Sequence, residues 1–153
     1  MKIGIIGLGR MGGNIARRLM RAEHEVVAFD RDEKMIAELV AHGAIAATSI
    51  DDMHDKLGDQ AIFWVMLPAG DPTEQTIATI AGFCSQGDIV IDGGNTFYKD
   101  DIRRAILPPM RPRPMIPIFI IPLRISGAGR VFGGDRAEQI VECLDETADP
   151  FLD

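Results

Sequence analysis

The amino-acid sequence predicts an α/β fold, a doubly wound parallel sheet with helices on both faces. Three observations predict it. Short apolar runs alternate with helical stretches of about 10–12 residues through positions 1–105, as in consecutive βαβ units. The first apolar run ends in a cluster of glycines. The 153 residues, 46% of them hydrophobic, are enough to bury the core of one domain.

Hydrophobic periodicity and turn residues set the bounds of the elements in this region. Each predicted strand is a short apolar run that ends near glycine, proline or aspartate. The strands, in order, are Lys2–Ile6, Glu25–Phe29, Ala44–Ala47, Ala61–Met66 and Asp88–Ile91. Each predicted helix has apolar residues at helical spacing and polar residues on its other face. The helices, in order, are Asn14–Arg21, Glu33–His42, Ile50–Leu57, Pro72–Phe83 and Phe97–Ile106.

Residues that start and stop helices support these bounds. The second helix follows Asp30 and Asp32, either of which can accept hydrogen bonds from its first turn, and it stops at Gly43. Ser49 is placed to cap the third helix. Pro72 stands in the first turn of the fourth helix, where its missing N–H does no harm. The sequence therefore specifies where most helices begin.

Residues 106–153 depart from this regular alternation. Six of the nine prolines fall between Pro108 and Pro122, where they remove hydrogen-bond donors and exclude both a helix and a central strand. Every charged residue of 106–134 is an arginine. We expect the last strand and the C-terminal part to be irregular, either as an extended strap over the sheet edge or as a product of a shifted reading frame. Gly134–Leu144 is predicted to be a closing helix of the same domain.

Charge and composition exclude several classes of protein. The net charge of −7 argues against a nucleic-acid binder or a binder of anionic membranes, since both need a basic surface. No run reaches the roughly 18 apolar residues of a membrane-spanning helix. A strand pattern begins directly at Lys2, which leaves no room for a signal peptide. The two cysteines, Cys84 and Cys143, have no metal-ligand spacing, so we expect a cytoplasmic protein without a metal site.

A glycine-rich motif follows the first predicted strand and opens the first helix, and it reads Gly7-Leu8-Gly9-Arg10-Met11-Gly12. The second strand then ends in Asp30, 18 residues beyond Gly12. Together these features are the fingerprint of a Rossmann-type dinucleotide-binding fold. Gly7 permits the tight turn, Gly9 lets the backbone approach the pyrophosphate, and Gly12 permits close packing of helix on strand. The helix N-terminus offers N–H groups and partial positive charge to the phosphates.

Asp30 and Arg31 bear on the choice between NAD and NADP. A carboxylate at the end of the second strand accepts hydrogen bonds from the adenosine ribose and repels a 2′-phosphate, which favours NAD. Arg31 beside it could instead hold a 2′-phosphate, so NADP stays open. Asp30 could also serve as a simple helix cap. We predict a dinucleotide cofactor, with NAD preferred.

Three further motifs bring a family into view. The glycine loop extends over Gly7–Asn14, the fourth strand ends in Val-Met-Leu-Pro-Ala-Gly at Val65–Gly70, and the fifth ends in Ile-Asp-Gly-Gly-Asn at Ile91–Asn95. Tyr98–Arg104 follows. Over residues 1–105 the chain closely resembles the cofactor domain of the 6-phosphogluconate dehydrogenases, especially their shorter bacterial form. The similar 3-hydroxyisobutyrate dehydrogenases have a Ser-Thr pair where this chain has Gly-Gly-Asn.

The resemblance implies a role for each matching residue of the cofactor site. Gly7–Gly12 would wrap the pyrophosphate, with Met11 near the nicotinamide. The residues implied to meet the adenosine ribose are Asp30, Arg31 and Asp32. The residues implied to lie along the nicotinamide ribose are Leu67, Pro68 and Ala69. Asn95 would contact both cofactor and substrate, and Ser126 and Gly127 resemble part of the family's substrate loop.

The activity implied by the resemblance is oxidative decarboxylation of 6-phosphogluconate, a sugar-phosphate acid, to ribulose 5-phosphate in the pentose phosphate pathway. The family's catalytic lysine and glutamate belong to a helical domain that follows the cofactor domain. We expect the chain to be truncated before that domain, so no catalytic residue is predicted in it. The three histidines, including His54, are expected at solvated positions, and the apolar residues 115–123 could form the interface of a homo-oligomer.

Two alternatives to this function stay open at the level of sequence. A 3-hydroxyisobutyrate-type β-hydroxyacid dehydrogenase shares the glycine loop and the overall plan, although Asp92–Asn95 speaks against it. A non-catalytic dinucleotide-binding module would need neither the acid nor the base.

Overall fold

The structure is a computed structural model that describes residues 1–85 and 87–94, together with the backbone pairing of residues 118–120. The described strands, in chain order, are β1 (Lys2–Ile6), β2 (Glu25–Phe29), β3 (Ile45–Ala46), β4 (Ile62–Val65), β5 (Ile89–Asp92) and β6 (Ile118–Ile120). The described helices are α1 (Arg10–Arg21), α2 (Glu33–Val40), α3 (Ile50–Leu57) and α4 (Asp71–Phe83). The predicted helices Phe97–Ile106 and Gly134–Leu144 lie outside the described residues.

The strands form one parallel sheet in the order β3-β2-β1-β4-β5-β6. The chain first builds outward from β1 through β2 and β3, and then crosses back to place β4 on the other side of β1. The order therefore reverses between β1 and β4. In open α/β sheets, a crevice for ligands forms at this point, beyond the carboxyl ends of the strands. The predicted doubly wound, Rossmann-type fold is confirmed.

Residues 118–120 form β6, the last strand of the sheet within the described residues, which pairs in parallel with β5, with Ile118 beside Val90. Prolines are found at the ends and edges of sheets rather than inside central strands, and the sequence has Pro117 and Pro122 on either side of this three-residue strand. The sequence predicted an extended strap over the sheet edge here. Residues 118–120 instead form a short strand that extends the sheet.

Apolar side chains pack in two layers, one on each face of the sheet. The layer beneath α1 and α2 includes Ile3, Ile5, Leu19, Leu39 and Trp64. The layer beneath α3 and α4 includes Met53, Leu57, Phe63, Ile77 and Ile80. Successive strand residues point to opposite faces, so the continuous apolar runs of the strands supply both layers. Within the described part of the chain, no helix is long and apolar enough to cross a membrane.

The observed bounds differ from the predicted ones chiefly at α1. The helix was predicted from Asn14, but it begins at Arg10. The N–H of Gly13 donates to the carbonyl of Gly9 at 2.9 Å, so the first turn closes directly after that glycine. Glycines disfavour helix interiors, which is why the sequence pattern placed them in a loop. The other elements of residues 1–92 agree with their predictions to within two residues.

The expectation that His54 is solvated is met only in part, because its side chain is 29% exposed and packs against other residues. Its ring stacks on Phe63 at a centroid distance of 6.1 Å and lies 5.0 Å from the ring of Phe83. Its Nε2 is 3.8 Å from a carboxylate oxygen of the buried Asp88. This cluster lies at the amino end of β4 and β5, opposite to the end where α/β folds bind ligands. Its contacts with the second apolar layer indicate a structural role.

The first turn of α3 contains a carboxylate with a strongly lowered pKa. A single oxygen of Asp52 accepts hydrogen bonds from Lys56 Nζ at 2.6 Å and from the backbone N–H of Thr48 at 2.7 Å. The Lys56 bond, followed by the Thr48 bond, lowers the pKa of Asp52 from 3.8 to about 2. Both bonds stabilise the ionised form, and the folded protein therefore binds this proton less readily than the unfolded chain.

We predict that Asp52→Asn changes the acid sensitivity of the fold. A lowered carboxylate pKa contributes stability that is present above the unfolded value of 3.8 and is lost as the pH falls towards about 2. The free energy of unfolding, measured by urea titration, should be lower in Asp52→Asn than in wild type at about pH 5. The two proteins should converge at about pH 2. An equal difference at both pH values would contradict the prediction.

Candidate functional site

The candidate site lies at the carboxyl ends of the central strands, where the strand order reverses. Three loops leave the sheet there: the turn at 7–9 between β1 and α1, the segment 66–70 between β4 and α4, and residues 93–94 after β5. The ladder continues into two of them, since Met66 N–H donates to Ile6 at 2.8 Å and Gly93 N–H donates to Val65 at 2.9 Å. The edge of the sheet thus holds the loop roots in a fixed order.

Gly7 and Gly12 bring the first loop and α1 against the sheet. Gly7 has φ +93°, a left-handed conformation that favours glycine, and a Cβ there would lie 2.6 Å from the carbonyl oxygen of Met66. A Cβ on Gly12 would lie 1.9 Å from the carbonyl oxygen of Gly7. Neither position has room for a side chain. The close approach places the N-terminus of α1 directly over the end of β1.

Gly9 differs from the other two glycines of the motif. It is exposed, its φ of −55° is open to any residue, and a Cβ there would meet nothing within 4 Å. Gly9 is the N-cap of α1, and no side chain makes a capping hydrogen bond there. The side chains of Arg10 and Met11 are exposed beside it in the first turn. The loop therefore leaves an open space in front of the helix N-terminus.

The charge around α1 also sets it apart. Among the four described helices, α2, α3 and α4 each have at least one acidic residue in the first turn, and α1 has none. A helix N-terminus has partial positive charge, which aspartate or glutamate in the first turn offsets. At α1 this charge faces the open space beside Gly9. Backbone donors and positive charge in one place favour an anionic group such as a phosphate.

Asp30 joins the loop after β1 to the loop after β2. One carboxylate oxygen accepts a hydrogen bond from the N–H of Leu8 at 2.5 Å, and the other accepts from the N–H of Asp32 at 2.9 Å. The interpretation of Asp30 as a simple helix cap is wrong. Asp32 is the N-cap of α2, and its carboxylate accepts from the N–H of Lys34 at 3.0 Å. Arg31, between the two carboxylates, is exposed.

The loop after β4 contains the residues expected along the nicotinamide ribose. Leu67 is half-buried, while Pro68 and Ala69 are exposed at the rim of the crevice. Gly70 has φ +100° and turns the chain into α4. The hydroxyl of the fully buried Thr73 donates to the carbonyl of Pro68 at 2.9 Å. No motif in the sequence points to this threonine, although a threonine in the first turn of a helix is a common signal for a local hydrogen bond.

The turn after β5 is shaped by two buried residues. Asp92 is 1% exposed, and one of its carboxylate oxygens accepts from the N–H of Gly94 at 3.0 Å. A Cβ on Gly93 would lie 2.3 Å from Nε1 of Trp64, a buried nitrogen that makes no hydrogen bond within the described part of the structure. The indole thus packs on bare backbone. The expected contact residues Asn95, Ser126 and Gly127 lie outside the described residues.

A comparison of the sequence with models of known protein families shows to which family the chain belongs. The sequence model described as the NAD binding domain of 6-phosphogluconate dehydrogenase matches residues 2–107. The chain belongs to this family. The resemblance seen in the glycine loop and in the loops after β4 and β5 is confirmed. A dinucleotide cofactor is part of the family's description, and the open space beside Gly9 in front of the uncapped α1 fits the phosphates of such a group.

Individual relatives extend the comparison. A curated 6-phosphogluconate dehydrogenase of Haloferax volcanii, named as NAD(+)-dependent and decarboxylating, is 42% identical over 105 residues, which are 69% of this chain and 35% of that protein. The chain therefore spans about a third of the length of this relative. The family membership concerns the NAD-binding part of these enzymes.

Two solved structures share the fold. The 6-phosphogluconate dehydrogenase of Plasmodium falciparum superposes with a TM-score of 0.63 at 23% identity, over 69% of this chain and 24% of that one. The 3-hydroxyisobutyrate dehydrogenase of Mycobacterium tuberculosis superposes with a TM-score of 0.59 at 22% identity, over 67% of this chain and 34% of that one. The likeness to both shows the Rossmann-type fold. The family assignment depends on the sequence.

Proposed function

We propose that this chain is the NAD-binding part of a decarboxylating 6-phosphogluconate dehydrogenase and that it binds the pyrophosphate of NAD at the N-terminus of α1. The observation that supports this most strongly is the space beside Gly9. The protein fills the positions around Gly7 and Gly12 completely, yet leaves Gly9 open in front of a helix N-terminus that has no side-chain cap and no acidic residue. A phosphate group needs this combination of space, donors and positive charge.

The adenosine half of the cofactor then extends towards β2. Asp30, Arg31 and Asp32 lie at the end of that strand and are the residues we propose to contact the ribose. Two carboxylates there disfavour the additional charge of a 2′-phosphate, which supports NAD over NADP. The name of the Haloferax volcanii relative, NAD(+)-dependent, agrees with this preference.

The nicotinamide half extends to the other side of β1, towards the loops after β4 and β5. Leu67, Pro68 and Ala69 at the crevice rim support the ribose of this half, and Met11, 49% exposed, covers its ring. Asn95 contacts cofactor and substrate. Ser126 and Gly127 belong to the proposed substrate loop.

The reaction needs groups beyond those in the described residues. When bound, NAD would accept the hydride that leaves C3 of 6-phosphogluconate. The resulting β-keto acid would then lose carbon dioxide to give ribulose 5-phosphate. The contribution of this chain's own residues is to bind and orient: α1 holds the pyrophosphate, and the loops after β4 and β5 form the side of the crevice where hydride transfer takes place. The lysine base and glutamate acid implied by the family resemblance belong to the helical domain that follows. The role proposed for the described residues is therefore to bind and orient NAD.

Gly9→Ala tests the proposal. Because a Cβ at this position meets no protein atom and φ is unstrained, the variant should unfold at the same temperature as wild type. The methyl group would occupy the proposed pyrophosphate space, so we expect NAD affinity, measured by calorimetric titration, to fall by about tenfold or more, roughly 1.4 kcal/mol.

Gly82→Ala is the matched control, since a Cβ added to this exposed glycine of α4 would also meet no atom within 4 Å and the position is remote from the crevice. It should bind NAD like wild type. If Gly9→Ala also binds NAD like wild type, or if wild type binds neither NAD nor NADP, the proposed function is wrong.

A further inference from the structure

We propose that Thr73 is a positioning residue, which holds the loop after β4 in the shape that receives the nicotinamide half of the dinucleotide. This inference rests on the proposed function above. It assigns a role to a hydroxyl that touches neither cofactor nor substrate and acts through the carbonyl of Pro68.

The hydrogen bond of Thr73 has an unusual target for a threonine in a helix. Its Oγ1 donates to the carbonyl of Pro68 at 2.9 Å, which lies outside α4 and five residues earlier in the chain. Thr79, on the same helix, shows the ordinary case, since its Oγ1 donates to the carbonyl of Gln75 one turn earlier at 2.8 Å. Thr73 is fully buried, whereas Thr79 is exposed. The Thr73 hydroxyl therefore connects the rigid helix to the loop.

The loop itself offers few ways to be held in place. Proline has no N–H, so the carbonyl is the one backbone group through which Pro68 can form a hydrogen bond. Pro68, Ala69 and Gly70 are all exposed, which leaves them without the packing that restrains buried segments. At the far end, Gly70 turns with φ +100° and its carbonyl accepts from the N–H of Glu74 at 3.1 Å. Thr73 restrains the near end of the same loop.

Strand order decides which half of the cofactor this loop can affect. With the pyrophosphate at α1, the adenosine half lies on the β2 side of β1 and the nicotinamide half on the β4 side. The loop 66–70 leaves β4 and faces the second half alone. Loss of the Thr73 hydroxyl should therefore weaken binding of the complete dinucleotide and spare a ligand that ends at the pyrophosphate.

The test compares two ligands on four proteins by calorimetric titration. The ligands are NAD and ADP, which has the adenosine and both phosphates of NAD but neither the second ribose nor the nicotinamide. The proteins are wild type, Thr73→Val, which removes the hydroxyl at nearly constant volume, Thr73→Ser, which keeps it, and Thr79→Val, the matched loss of a hydroxyl on the same helix. Thermal unfolding is followed in parallel. Thr73→Ala replaces the valine variant if that variant does not fold.

We expect Thr73→Val to bind NAD about fivefold to tenfold more weakly than wild type and to bind ADP equally well. Thr73→Ser and Thr79→Val should match wild type with both ligands. Equal losses for NAD and ADP, or no loss for either, would overturn the positioning role while wild-type NAD binding upholds the proposed function. If wild type fails to bind NAD, the proposed function and the positioning role are both wrong.

Discussion

Gly12→Ala is expected to abolish measurable NAD binding and to lower the free energy of unfolding by about 3 kcal/mol. The added Cβ would lie 1.9 Å from the carbonyl oxygen of Gly7. This oxygen belongs to the main chain and Cβ is fixed to its own Cα, so neither group can rotate away, and α1 must shift from the sheet. The shift moves the N-terminus of α1 from the position where it meets the pyrophosphate.

Urea unfolding and NAD titration of the same samples would measure both effects of Gly12→Ala. Gly82→Ala is again the control, because it makes the same change in α4 with no contact and should raise stability by about 1 kcal/mol through helix propensity. Gly9→Ala completes the comparison, since it should lose binding and keep stability. A Gly12→Ala protein with wild-type stability would show that the approach of α1 to the first loop is not as close as described.

Asp30→Ala is expected to weaken NAD binding by about a hundredfold, equivalent to roughly 2.7 kcal/mol. The substitution leaves the N–H groups of Leu8 and Asp32 without their carboxylate acceptors. Hydrogen bonds to charged groups contribute about 1.5–3 kcal/mol each, and water can replace part of this at the half-buried Asp30. The glycine loop loses its connection to β2, and the ribose loses a proposed partner.

Titrations with NAD and with NADP would separate these two contributions. Asp30→Ala removes a negative charge that opposes a 2′-phosphate, so NADP affinity should fall less than NAD affinity. Asp32→Ala is the comparison, because it removes the cap of α2 and should lower stability by about 1 kcal/mol, while the Leu8–Asp30 bond remains. Equal NAD affinity in Asp30→Ala and wild type would contradict the connecting role of Asp30.

Most of the fold was predictable because its signals are local. A strand such as β1 is an apolar run, and the helix starts at Ser49 and Pro72 follow from the chemistry of nearby backbone groups. The start of α1 was not predictable by the same rules, because Gly12 is a poor helix former in isolation and is helical here through its packing on Gly7. The contacts of His54 were not predicted for a similar reason, since Phe63 and Phe83 reach it from other elements.

The candidate site was likewise predictable only in part. Spacing in the glycine loop was enough to predict a dinucleotide-binding residue set, and the position of Asp30 at the end of a strand was enough to include it. The hydrogen bonds that hold the loops of the site together could not be predicted from local spacing. The Asp30 bond to Leu8 crosses 22 residues, and the Thr73 bond to Pro68 leaves the helix that contains it.

The sequence by itself determined the alternation of strands and helices, the dinucleotide fingerprint and the family, because each depends on residue types at fixed short spacings. Only the tertiary structure decided that the space beside Gly9 is open while that beside Gly12 is filled. It also decided that Asp32 rather than Asp30 caps α2, and that Thr73 restrains the loop after β4. These facts depend on distances between groups that the parallel sheet brings together. No local spacing encodes such a distance, because it is set only when β1, β2 and β4 pair.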